Sequence, residues 1–412
     1  MHNKLQNDRI TPGWHTQLIF IFIILMMGSL FVSRAALSAT MMGFVAASFL
    51  HGNIRKHLGN FFTTPLLWAL SLLFFIPFIS GLWSEDLQTW TKVVRVKLPL
   101  FVLPLAFAGC WQLTSGQWKW LIRIFFLIVT AATLWSVTQY FVDSAAIHEA
   151  YLRAKTIPVP LEGDYIRFSW LVCVAVIIAM MLWEKVGDIK LKTILLILVG
   201  WYIVYLHILA ARTGLFACYL FLLAYVIYRL LLIKRKTVSL GMLIAVLVLP
   251  VLAWFFLPTF QNRFKYLRYD FDYVVNSSYL VGATDGNRLF SIKAGWNIVK
   301  ENPLGVGAGD LRQVTNDWYK REVPAMVEMD KIYPSNEWLI YGGFAGWPGL
   351  ILFTVIMALP FFIKGLQQKF FWFCFHGAAI FSFIVDTGLE VQFGIFLYGF
   401  ITCCWWKWLR QT

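Results

Sequence analysis

Long apolar runs alternate with short polar gaps along almost the whole chain. The runs cover residues 17–33, 35–50, 64–83, 97–111, 120–142, 166–183, 191–209, 213–233, 239–257, 338–359, 370–386 and 390–408. Roughly 20 apolar residues at a helical rise of about 1.5 Å cross a bilayer's hydrocarbon core, so these runs predict about twelve transmembrane helices, the second and fourth of them short. The pattern lapses once, between 258 and 337. Inside that insertion, NRLFSIKAGWNIVKENPLG repeats Leu289, Ile292, Trp296 and Val299 at helical spacing and stops at Asn302-Pro303, which predicts an amphipathic helix. Nearly balanced charge makes the insertion a folded cap rather than a polybasic arm. The predicted fold is all-α and polytopic: helices 1–9 in residues 1–257, one large extracytoplasmic loop in 258–337, and helices 10–12 in 338–412.

Composition agrees. Of 412 residues, 59% are hydrophobic and 14% charged, far from a soluble domain. A net charge of +14 raises nucleic acid as a partner. Its distribution answers otherwise. With the N-terminus inside, 17 basic residues fall in cytoplasmic segments and 8 in short outer ones, and the other ten lie in the long loop that the positive-inside rule does not count. Both termini are therefore placed in the cytoplasm and the loop outside. The Lys-Arg-Lys triplet at 234–236 reads as an inside anchor, and no basic run is long enough to argue for nucleic acid. The leader MHNKLQNDRITPGWHTQ reads as cytoplasmic, and the apolar segment after it lacks a small-residue cleavage site and is read as a retained helix. Cys110, Cys173, Cys218, Cys374, Cys403 and Cys404 lie in or beside apolar runs without metal-ligand spacing, as packing thiols do.

A few polar residues stand out. Arg212 interrupts YLHILAARTGLFACYLFLL, where it is either a turn residue snorkelling to the interface or a phosphate ligand at a helix N-terminus, with Gly214 allowing close approach. Arg288 follows Asp-Gly-Asn at the start of the amphipathic helix, and two arginines on one side suit bidentate contact with a diphosphate. The glycines of NPLGVGAGD, Gly305, Gly307 and Gly309, lack the strand–turn–helix setting of a nucleotide site and read as a tight turn that orders the loop. Pro334-Ser335-Asn336 forms an N-cap before an apolar helix whose Gly342, Gly343, Gly346 and Gly349 permit close helix packing. Asp386 and Glu390 occupy an outer turn between the last two spans, where carboxylates either orient arginines, act as a base, or simply meet water.

Together, Ala-Arg-Thr-Gly at 211–214, Asn287-Arg288 followed by WNIVKENPLGVGAGD to 310, and Ser335-Asn336 with nine residues before Gly346 and two more before Gly349 resemble the O-antigen ligase and polymerase superfamily of membrane glycosyltransferases. The resemblance runs roughly over residues 190–400. It implies a GT-C-like enzyme of the bacterial inner membrane with its active site in the periplasm. Such an enzyme transfers a glycan from an undecaprenyl diphosphate carrier to an acceptor hydroxyl on lipid A–core, with no metal or other cofactor. On matching motifs, Arg212 and Arg288 would hold the diphosphate. Family ligases carry histidine at the position of Ser335, and a serine has no titratable group near neutrality to serve as base. Three readings follow. Glu337, Asp386 or Glu390 replaces it as base, with Glu337 favoured although helical spacing turns it about 200° from Ser335. Otherwise the site relies on positioning and leaving-group stabilisation, or the protein is a degenerate relative without transferase activity. A working enzyme is favoured because both arginines, Asn336 and the glycine pair remain. The catalytic set is then Arg212, Arg288, Ser335, Asn336 and Glu337, with Asp386 and Glu390 joining the arginines in substrate binding. Two rivals share the fold, an O-antigen polymerase and a protein O-oligosaccharyltransferase. A lipid or glycan transporter is the rival of another class, but its charged or broken midplane helices are not evident, since the polar outliers gather at one outer boundary.

Overall fold

Apolar sequence without water to bond its backbone leaves the chain little choice but helix, and in the computed structural model all regular structure among the described residues is helical. Those are residues 13–411 except 154, 234–235 and 276–278. The leader's first twelve residues, with Lys4 and Arg9, and Lys234-Arg235 of the basic triplet lie outside them. The helices are α1 (Gly13–Ser29), α2 (Arg34–Ser48), α3 (Ile54–Thr63), α4 (Pro65–Ile79), α5 (Leu87–Lys97), α6 (Pro99–Phe107), α7 (Ser115–Val142), α8 (Ser144–Leu152) and α9 (Tyr165–Lys185). They continue with α10 (Ile189–Leu209), α11 (Arg212–Tyr228), α12 (Lys236–Phe256), α13 (Pro258–Val275), α14 (Thr284–Glu301), α15 (Leu311–Glu322), α16 (Glu337–Ala358), α17 (Lys369–Val385) and α18 (Gln392–Gln411).

Among the described residues, six helical stretches are long and apolar enough to cross a membrane: 65–82, 115–142, 165–185, 189–209, 212–231 and 337–362. A seventh results if 246–256 and 258–270 count as one span, although they bend by 94° where α12 meets α13. Every predicted run contains a helix, but the run 97–111 holds only the nine residues of α6, about 14 Å of helix, because Lys97 ends α5 and Pro99 starts a new helix. Leu127, Phe141 and Ile197 are 69%, 76% and 65% exposed, an apolar outer surface that suits acyl chains and not water. One continuous core runs from Ile19 in α1 to Leu409 in α18. A second small cluster, Phe290, Ala294, Trp318, Tyr319 and Met326, lies within the insertion. The six cysteines are free thiols.

The helix predicted from Leu289, Ile292, Trp296 and Val299 exists as α14, but of those four it buries only Val299, together with Phe290, Ser291, Ala294, Gly295 and Ile298. Trp296 is exposed and meets Trp347 edge-on. Side-chain size explains the difference. A Cβ on Gly295 would lie 2.9 Å from Pro334 and 3.0 Å from Leu339, so α14 approaches α16 along its small residues.

The glycine turn does order the loop, and it does so by threading the chain into α16. At Ala345 and Gly346 that helix breaks, and the backbone of 303–306 enters the gap, with Trp347 N–H donating to Pro303 C=O (3.0 Å) and Val306 N–H to Gly343 C=O (2.8 Å). The same segment then reaches the first half of the chain. Ala308 N–H donates to Ser80 Oγ, Gly309 N–H to Ser84 Oγ, and the Asp310 carboxylate accepts from Glu85 and Asp86 N–H at 2.7 and 2.9 Å. The motif is a clasp between α4–α5, α14 and α16.

Candidate functional site

Arg212 owes its place to a tight reversal. Ala210 takes a left-handed conformation (φ 48°), Ala211 is extended, and Arg212 opens α11. Two residues later, Gly214 faces α9, where an added Cβ would lie 2.5 Å from the Ser169 backbone. The glycine therefore serves helix packing, not close approach of a ligand to Arg212 as its spacing suggested. Both terminal nitrogens of Arg212 donate to the two carboxylate oxygens of Asp285, in the first turn of α14. Asp270, fully buried, accepts from the N–H groups of Asp285 and Gly286 and from Thr284 Oγ1, so a carboxylate satisfies the start of α14.

Arg288 stands three residues after Asp285, one turn along α14 and on a neighbouring face. It is partly exposed and forms no ion pair among the described residues. Another three residues on, Ser291 Oγ donates to Arg288 C=O and accepts from Ser335 N–H at 3.0 Å. Helix α14 thus links three of the residues singled out in the sequence: Arg212 through Asp285, Arg288 directly, and Ser335 through Ser291.

Asn336 is the N-cap of α16, its Oδ1 accepting from Leu339 N–H, while Nδ2 donates to Ile384 C=O at the end of α17. From here the polar residues turn away from α14. Glu337 is completely buried; its Oε1 accepts from Leu389 N–H, and its Oε2 has no hydrogen-bond partner. The fully buried Lys97 donates to Leu389 C=O (2.9 Å) and to Glu390 Oε1 (2.5 Å), and its ammonium lies 4.8 Å from the Tyr341 ring centre. Arg167 holds the turn's other end, donating to Thr387 C=O and pairing with Asp386 at 3.0 Å and Asp164 at 3.5 Å. Burial raises the Glu390 carboxyl above its usual range, against the pull of Lys97. Burial likewise raises Asp164, against Arg167.

Two groups of polar residues result. Arg212, Arg288 and Ser335 share α14. Asp386 and Glu390 lie in an ion-paired turn, residues 386–390, where Arg167 and Lys97 occupy their carboxylates, and Glu337 of α16 reaches that turn at Leu389 N–H. Sequence reasoning did not find Asp285, Asp270, Lys97, Arg167 or Asp164 as participants. Asp285 carried a faint signal, three places before Arg288 in DGNR. Lys97 and Arg167 looked like flanking charges because Glu390 and Thr387 lie 293 and 220 residues away, and only Asp164 is near Arg167 in sequence. Among the described residues, no group of three His, Cys, Asp or Glu side chains is arranged to hold a metal ion.

Residues 194–354 match the family model described as O-antigen ligase. The chain carries an O-antigen ligase family domain. The matched segment runs from α10 into α16 and contains Arg212, Arg288, Ser335, Asn336 and Glu337, while Asp386, Glu390, Lys97 and Arg167 lie outside it. No curated protein matches the chain. The family match and the apolar helices together support a bacterial membrane protein related to the O-antigen ligase and polymerase superfamily.

Proposed function

We propose that the protein is an O-antigen ligase-like enzyme that moves a glycan from undecaprenyl diphosphate to lipid A–core on the periplasmic face of the inner membrane. The reading includes twelve spans with both termini cytoplasmic and residues 258–337 outside. The observation that carries it is that Arg212, at the start of α11, is tied through Asp285 to the helix α14 that carries Arg288, within the family-matched segment.

In the proposed reaction the acceptor oxygen attacks the anomeric carbon, the bond from that carbon to the diphosphate oxygen breaks, and undecaprenyl diphosphate leaves with the electron pair. The two guanidinium groups stabilise the charge that develops on the leaving group, while burial of the sugar on α14 and the Ser335-Asn336 corner fixes its orientation. The acceptor's proton passes to the departing diphosphate or to water: Glu337 is buried against Leu389 and Asp386 and Glu390 are held by cations, so transfer rests on positioning and leaving-group stabilisation. A neutral serine at 335 leaves room for the acceptor and takes no proton itself.

The test is the lipopolysaccharide profile of a deletion strain complemented with wild type, Arg212→Ala or Arg288→Ala. Each substitution removes a charge-stabilising donor, with an expected loss of about 10²–10³-fold in transfer. Loss of the long-chain ladder with lipid-linked polymer of normal length accumulating supports the ligase. Accumulation of single repeat units makes the protein a polymerase, and an unchanged profile in the deletion strain refutes both readings.

A further inference from the structure

Arg212 already has an anion on it. The two oxygens of Asp285 meet its two terminal nitrogens, the same fork-on-fork contact that a phosphate presents to a guanidinium. Each side chain is only 22% exposed, so the pair is largely shielded. Asp285 is not needed to cap its own helix, because the Asp270 carboxylate takes the N–H groups of Asp285 and Gly286. Its side chain has Arg212 as its partner, while Arg288, one turn along, is unpaired among the described residues. One arginine is open to a ligand and the other is closed by a carboxylate.

We propose that Asp285 is an internal latch, a positioning residue that occupies Arg212 in place of a donor phosphate and yields it when a lipid diphosphate binds. The inference rests on the reading that Arg212 binds the diphosphate. Two anions repel when they converge on one guanidinium, so the diphosphate and Asp285 exclude each other. The donor's apparent affinity is then its intrinsic affinity reduced by the fraction of molecules with Arg212 free, and the latch re-forms as the product diphosphate leaves. Arg212 is thereby held folded and aimed between turnovers instead of collecting other anions.

The test is a double-mutant cycle read by calorimetric binding of farnesyl diphosphate to the full-length, detergent-solubilised protein, with wild type, Asp285→Asn, Arg212→Ala and the double variant. Asp285→Asn keeps the side chain's shape and loses the bidentate charge. It should bind about tenfold tighter than wild type, and less than about twofold tighter in the Arg212→Ala background, where there is no latch to open. Asp285→Ser, which also removes the carboxylate, should show the same sign if the asparagine variant is poorly folded by thermal unfolding. Equal tightening in both backgrounds makes Asp285 a general repulsive charge and overturns the latch. Weaker binding by both Asp285 variants makes it a support that aims Arg212, which also overturns the latch. Wild-type binding by Arg212→Ala removes the diphosphate reading itself, and the latch with it.

Discussion

Gly346 is the residue on which the clasp depends. Its backbone sits at φ 63°, ψ −149°, a region essentially closed to residues with a side chain, where holding alanine costs about 1–3 kcal/mol. Space is the larger obstacle. A Cβ at 346 would lie 1.9 Å from the Pro303 carbonyl oxygen, 2.3 Å from its carbon and 2.6 Å from Leu304 N. These are backbone atoms, so no rotamer change relieves the contact, and residues 303–304 must leave the gap in α16. Departure loses the Trp347–Pro303 and Val306–Gly343 hydrogen bonds, each worth about 1 kcal/mol. Strain and lost bonds together put Gly346→Ala at about 3–5 kcal/mol of destabilisation. Gly377→Ala is the control, because its added Cβ meets nothing within 4 Å in α17, and it should stay within about 1 kcal/mol of wild type. Thermal unfolding of the two purified variants in detergent, with membrane abundance as a second reading, compares them. If Gly346→Ala unfolds with Gly377→Ala and wild type, the threaded clasp is not what holds α14 against α16.

Two further outcomes follow from buried charge. Lys97→Met strands Glu390 in the protein without its cation and should cost about 3–5 kcal/mol, most of it recovered by adding Glu390→Gln; additive losses in thermal unfolding would contradict the pairing. At the other end of the bundle, Asn53 N–H donates to His51 Nδ1, which fixes the proton of His51 on Nε2 facing His57 Nδ1, and His57 Nε2 then donates to Leu105 C=O. Both rings must be neutral for this chain of bonds, and burial first, then neighbouring charge, lowers both below the ordinary 6.5. The unfolded chain therefore takes up protons first. The stability is present above about pH 6.5 and is lost as pH falls below it, so wild type should weaken more steeply than His57→Gln between about pH 7.5 and pH 5.5. Parallel melting curves would refute this.

What was legible in the sequence is what is local. Apolar runs gave a helix at each of twelve places, since without water the backbone must bond within its own segment. A cap at Ser335 or Asn336, of which Asn336 takes the role, the stop at Asn302 and the role of the 305–309 glycines as a turn also came from neighbours a few residues apart. The face of α14 did not, because apolar spacing assigns burial to the largest side chains. Here the deciding contact is with another helix that needs Ala294 and Gly295 to come close. Gly214 misled for a related reason: spacing shows that a glycine stands beside Arg212 but not which neighbour fills the missing Cβ.

The candidate site was half legible, and the missing half has a common physical origin. Arg212, Arg288, Ser335 and Asn336 announce themselves because each is a polar residue at an apolar boundary. Their counterparts Asp285, Lys97, Arg167 and Asp164 sit among other polar residues, where a charge costs nothing until folding buries it. Only the tertiary structure shows that Lys97 is fully buried beneath the turn at 389–390 or that Arg167 spans Asp164 and Asp386. Such pairs contribute little net stability because desolvation offsets attraction, yet removing one member is severe. They act by fixing geometry. Lys97 and Glu337 grip the two sides of the Leu389 peptide, and Asn336 grips Ile384, so the last two helices are registered against the residue that caps α16. The first 190 residues, which look like generic membrane helices in sequence, therefore contribute Lys97, Arg167 and the Ser80–Asp86 end of the clasp to the frame that holds α14 and α16 in place.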